Sequence, residues 1–147
     1  MKMNENEELL NYIYQTCNMG VQSSENLLKA LKSKDNKIIN ILFEIKKNYE
    51  KYSLEAEKLL KKHKLDAKGV NIMAKAMSKI SINKELLEDN SDASVADMLI
   101  KGLTMGNLEL SKNIGKFENK VDSKVINMAK DLLKFGETYI NKLKIYL

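Results

Sequence analysis

The residues best suited to chemistry are few. The chain has one histidine, His63, and one cysteine, Cys17. A thiol needs a neighbouring base to serve as a nucleophile. His63 lies in the run KKHK at a helix end, among Lys61, Lys62 and Lys64, where a cation suits the helix dipole. Cys17 falls on a helical apolar stripe, where cysteine behaves as a small hydrophobe. No phosphate loop, GxSxG elbow, zinc-ligand spacing or dinucleotide fingerprint occurs. What remains is a pair of phenols and a pair of carboxylates. Glu50 and Tyr52 recur as Glu137 and Tyr139, 87 residues later. These four are the candidates for a polar core. Buried tyrosine hydroxyls need partners, so Tyr52 and Tyr139 are read as a structural pair with Asn or Glu accepting, not as redox groups.

These side chains must be positioned by helices. The 147 residues include no Pro, only 6 Gly and no Trp. The commonest helix breaker is therefore missing, and Leu, Lys, Glu, Met and Ala are frequent helix formers. The length suits one domain, 1–147, with a sizeable core. A lone cysteine suits a reduced, cytoplasmic setting. The start, MKMNENEELL, lacks a signal peptide's pattern, and no apolar run approaches the ~18 residues of a membrane span. The net charge is +5, yet every basic residue is lysine. Bidentate recognition of guanine and phosphate relies on arginine, so nucleic acid is not the expected partner.

Apolar residues at three- and four-residue steps predict four helices. Their expected spans are about 5–31, 36–63, 92–117 and 122–146, with a crossover over 64–91. Asn4 is the expected cap of the first helix and Asp35 that of the second. The fourth follows a turn around Asn119–Asp122. Within the crossover, Val70, Met73, Met77 and Ile80 predict a short amphipathic helix.

DNKIIN at 35–40 returns as DSKVIN at 122–127. The shift of 87 that relates Tyr52 to Tyr139 also pairs Lys37 with Lys124 and Glu44 with Asp131. A shift of 86 pairs Met19 and Gly20 with Met105 and Gly106. Two duplicated αα-hairpins about a pseudo-two-fold, joined by a long crossover, make a four-helix bundle of the ferritin-like, single-crossover type. In that arrangement Gly20 and Gly106 are expected to let the first and third helices approach closely.

That architecture invites a di-metal test, which needs inward Glu on two helices and Glu-x-x-His on the other two. The chain departs from it. Leu60 precedes His63 by three positions, Ser53 follows Glu50, and Ile140 follows Glu137. Glu109 on the third helix matches Ser23 on the first. No metal ligands, cofactor or catalytic residues are assigned; a cation held by carboxylates alone is the weaker reading.

The run DNSDASVADMLIKGLTMG at 89–106, with NMG at 18–20 and MAKAMS at 73–78, resembles an uncharacterised group of small bacterial ferritin-like proteins of the low-GC Gram-positive type. The resemblance implies the fold and carries over no functional residue. A second stripe lies outside the core row: Met98, Gly102 and Met105 on the third helix, and Tyr12, Thr16 and Met19 on the first. Either the crossover covers it or it forms an interface, because Met-rich surfaces suit adaptable binding. Tyr12, Met19, Met98, Gly102 and Met105 are the candidate interface residues. The expectation is a non-enzymatic binding or structural module that forms a homodimer or binds a protein partner. The alternatives are a degenerate iron-binding protein or oxidoreductase of the same fold, and a lysine-rich adaptor for acidic surfaces.

Overall fold

The computed structural model describes residues 4–32, 35–65 and 90–147. Among these residues the secondary structure is helical throughout. Helix α1 is Glu5–Ala30, α2 is Ile39–Lys62, α3 is Asp92–Phe117 and α4 is Ser123–Leu143; a 3-10 turn, Lys144–Tyr146, follows α4. The short helix expected around Val70–Ile80 lies outside the described residues.

Two helices start as their sequences predict. The Asn4 side chain accepts the amide of Asn6 at 2.8 Å, and Ser91 accepts that of Ser94 at 3.2 Å. Each satisfies one of the orphan donors at a helix N-terminus. Helix α2 starts differently. Asp35 is exposed and non-helical, and the residue at the N-cap position, Ile38, has no capping side chain. The expected local cap is replaced by one from another helix. The carboxylate of Asp92, in the first turn of α3, accepts the amides of Lys37 at 3.1 Å and Ile38 at 3.3 Å. It also accepts Asn36 Nδ2 at 3.0 Å, and Asn36 Nδ2 reaches the Asn90 carbonyl at 2.8 Å. A single carboxylate thus serves two helix N-termini, where negative charge is favoured. The two halves of the recurrence differ here: Asp122 does stand at the N-cap position of α4, but its side chain makes no capping bond.

Named contacts fix the directions of the helices. Glu25 meets Lys46 and Asn18 meets Ser53, so α1 and α2 are antiparallel. Glu118 meets Lys130 and Asn107 meets Leu133, so α3 and α4 are antiparallel. Lys116 meets Glu8, and Glu44 meets Tyr139, so α1 opposes α3 and α2 opposes α4. The His63 ring at the end of α2 lies 4.0 Å from Asp122 at the start of α4. The start of α3 lies instead beside the start of α2, through Asp92 and Asn36. The connection between residues 65 and 90 therefore joins opposite ends of the bundle.

Each helix faces two neighbours and buries adjacent rows rather than a single stripe. In α2 this buries Ile41 with Leu42, Tyr52 with Ser53, and Leu59 with Leu60. The centre is apolar: Leu10, Ile13, Cys17, Leu42, Ile45, Ala56, Val95, Ala96, Val125, Ala129 and Leu143 are almost wholly removed from solvent.

Candidate functional site

The paired phenols lie on facing sides of α2 and α4. The Tyr139 hydroxyl donates to Glu44 Oε1 at 3.1 Å and accepts from Asn48 Nδ2 at 3.4 Å. The Tyr52 hydroxyl donates to the Asp131 carbonyl at 3.5 Å. Glu44 and Asp131 are themselves related by the 87-residue shift, so each tyrosine reaches the partner of the other. Phe135 stands between them, its ring centroid 5.0 Å from Tyr139 and 6.1 Å from Tyr52. Tyr49 meets Phe135 edge-on at 5.1 Å. Burial first, then the Glu44 carboxylate, raises the ionisation of Tyr139 above the ordinary tyrosine range. Burial first, then Asp131, does the same for Tyr52. Neutral phenols that donate hydrogen bonds hold helices together at ordinary pH.

Glu50 and Glu137 do not join this cluster. Both are exposed, and Glu50 lies 3.6 Å from Lys46 on its own helix. Among the described residues, no group of three or more His, Cys, Asp or Glu side chains could hold a metal ion. Cys17 is fully buried, and burial, with a smaller contribution from the charge of Glu55, pushes its thiol far above the usual range. A thiolate there is strongly disfavoured.

The glycines separate into two kinds. An added Cβ on Gly20 would lie 2.6 Å from the ring of Tyr49, so Gly20 exists to seat that ring. Gly20 and Gly106 were expected to bring α1 and α3 together, but Gly20 faces Tyr49 of α2 instead. Among the described residues, nothing lies within 4 Å of a Cβ built on Gly106. The reason is the residue opposite. The position that corresponds to Tyr49 in the second hairpin is Gly136, which offers no ring, and Gly136 is itself covered by the Asn107 side chain. Asn107 is held there by a 3.1 Å bond to the Leu133 carbonyl. A crevice of about 30 Å³ remains between Gly106, Gly136, Tyr49, Thr16 and Phe135. That is roughly the volume of one water molecule, too small for an organic ligand.

The five candidate interface residues divide between two places. Tyr12 is half-buried on the α1–α3 seam, beside Thr16, Asn113 and Glu109. Met19 and Met98 are also half-buried, and Met98 packs against the core. Gly102 and Met105 remain in the open. Met105 is 71% exposed, and Gly102 has no described atom within 4 Å of a built Cβ. Leu108, one turn further along the same face, is 58% exposed and extends the patch. The signal that would have found it is charge: residues 102–108, GLTMGNL, contain none in a chain that is 31% charged. The face is bounded by Lys101, Glu109 and Lys112, all exposed. No helix among the described residues is long and apolar enough to cross a membrane. No protein family, curated protein or solved structure compared with this chain matches it.

Proposed function

We propose that this chain is a cytoplasmic, non-enzymatic module of ferritin-like type that works by associating with itself. The observation that carries the reading is the bare middle of α3. Gly102, Thr104, Met105 and Leu108 are exposed there within two charge-free turns. An exposed apolar patch rimmed by charge is how protein association sites are built. The polar groups that could have done chemistry are engaged elsewhere. Tyr139 and Tyr52 join α2 to α4, Asn18 bonds Ser53 across α1 and α2, and Asn107 bonds Leu133 across α3 and α4.

The ferritin-like type and its pseudo-two-fold are supported by the helix directions and by the reciprocal contacts of Tyr52 and Tyr139. The cytoplasmic setting rests on the lone cysteine. Sedimentation velocity over a hundredfold range of protein concentration tests the functional reading. It predicts a shift from monomer towards dimer. A strict monomer throughout would overturn it, and so would a stoichiometric metal in protein purified without chelator.

A further inference from the structure

We infer that the partner on α3 is a second copy of this chain, packed antiparallel along the same helix with a two-fold axis at Met105; this rests on the self-association reading above. A two-fold axis normal to an antiparallel helix pair sets each residue before the axis level with the residue equally far beyond it in the other copy. With the axis at Met105, Lys101 comes level with the partner's Glu109, and Glu109 with the partner's Lys101. Both side chains are mostly exposed at their tips, and each makes an ion pair along its own helix: Lys101 with Asp97 at 2.8 Å, and Glu109 with Lys112 at 3.1 Å. The same axis sets Leu108 level with the partner's Gly102. Gly102 carries no side chain to hold the two helices apart, so the backbones can approach closely. Four residues along a helix span about 6 Å, so the charged pairs bracket the apolar centre at both ends.

The exposed face of α2 provides the contrast. Phe43 and Leu54 are 53% and 57% exposed, but Lys47 and Glu50 lie between them. That face carries charge at its centre and apolar groups at its edges, the reverse of the apolar core and polar rim that interfaces favour. Face α3 has the favoured order, and its Lys101 and Glu109 are complementary to those of an inverted copy of itself.

Two single variants test the register by sedimentation, with circular dichroism as a check on folding. Lys101→Glu places four carboxylates around the axis, and Glu109→Lys places four ammonium groups there. Each variant alone should dimerise at least about tenfold more weakly than the wild type, because like charges face each other. An equimolar mixture should recover association to within about threefold, because each copy then supplies the charge that the other lacks. If the wild type dimerises but the mixture associates no better than either variant, the register is wrong and the self-association reading stands. A wild type that stays monomeric overturns both.

Discussion

The hairpins α1–α2 and α3–α4 carry the same marks in sequence and use them differently. Residues 9–24 of α1 contain no charge, and of these only Gln22 is exposed. Residues 102–108 of α3 contain no charge either, and Gly102, Thr104, Met105 and Leu108 are exposed. Inside the bundle, Gly20 is filled by the ring of Tyr49, whereas Gly106 faces a crevice because Gly136 stands where a ring would be. The first hairpin is closed on both counts and the second is left open on both. An exposed uncharged helix face is a liability for a monomer, and the self-association proposed above would cover it.

The largest effect separating the hairpins is expected at Gly20. Gly20→Ala forces the Tyr49 ring, which is pinned against Phe135, out of its seat. Overpacking of this kind costs about 1–3 kcal/mol, read as a lower urea midpoint. Gly106→Ala meets no such obstacle. It should gain stability by up to about 1 kcal/mol, the helix-propensity difference between the two residues. Equal losses at both sites would erase the distinction between the hairpins.

Next comes the cap shared between them. Asp92→Ala removes three hydrogen bonds at the start of α2 and should cost about 1–2 kcal/mol. Asp35→Ala should change stability by no more than about 0.5 kcal/mol, since Asp35 is exposed and does not cap. A reversed order would restore the local cap that the sequence suggests.

The phenols that join the hairpins give a pH signature. The ionisation of Tyr12, Tyr49, Tyr52 and Tyr139 is raised in the folded chain, in each case chiefly by burial. A raised folded pKa means that the stabilisation is complete below the unfolded value near 10 and is lost as pH climbs through the folded value. The chain should therefore unfold in alkali, with most of the phenolate absorbance appearing together with loss of helicity. Phenolate that appears in full near pH 10, before the helix signal falls, would contradict this.

Much of the fold is legible in the sequence, and the misses share a cause. The span 92–117 for the third helix coincides with Asp92–Phe117 because its apolar period and its Ser91 cap are both local. The second helix begins three residues later than expected because its cap comes from Asp92, more than fifty residues along the chain. The fourth ends in a 3-10 turn rather than continuing as α-helix to Tyr146. Gly20 and Gly106 both depart from the expected approach of α1 to α3, because spacing places a glycine on the inner side of a helix but says nothing of what stands opposite. The sequence does not single out Glu44 and Asn48 as partners of Tyr139, because they lie on the polar flank of their stripe. Leu108 is legible from the charge-free run taken together with the methionine spacing.

The central claim is that a second copy binds the open face of α3. Sedimentation equilibrium of Met105→Lys beside Phe43→Lys tests it most directly, because both place a lysine at a solvent-facing apolar position on a helix. The account predicts that Met105→Lys is monomeric at concentrations where the wild type and Phe43→Lys are dimeric. A Met105→Lys protein that dimerises as the wild type does would contradict it.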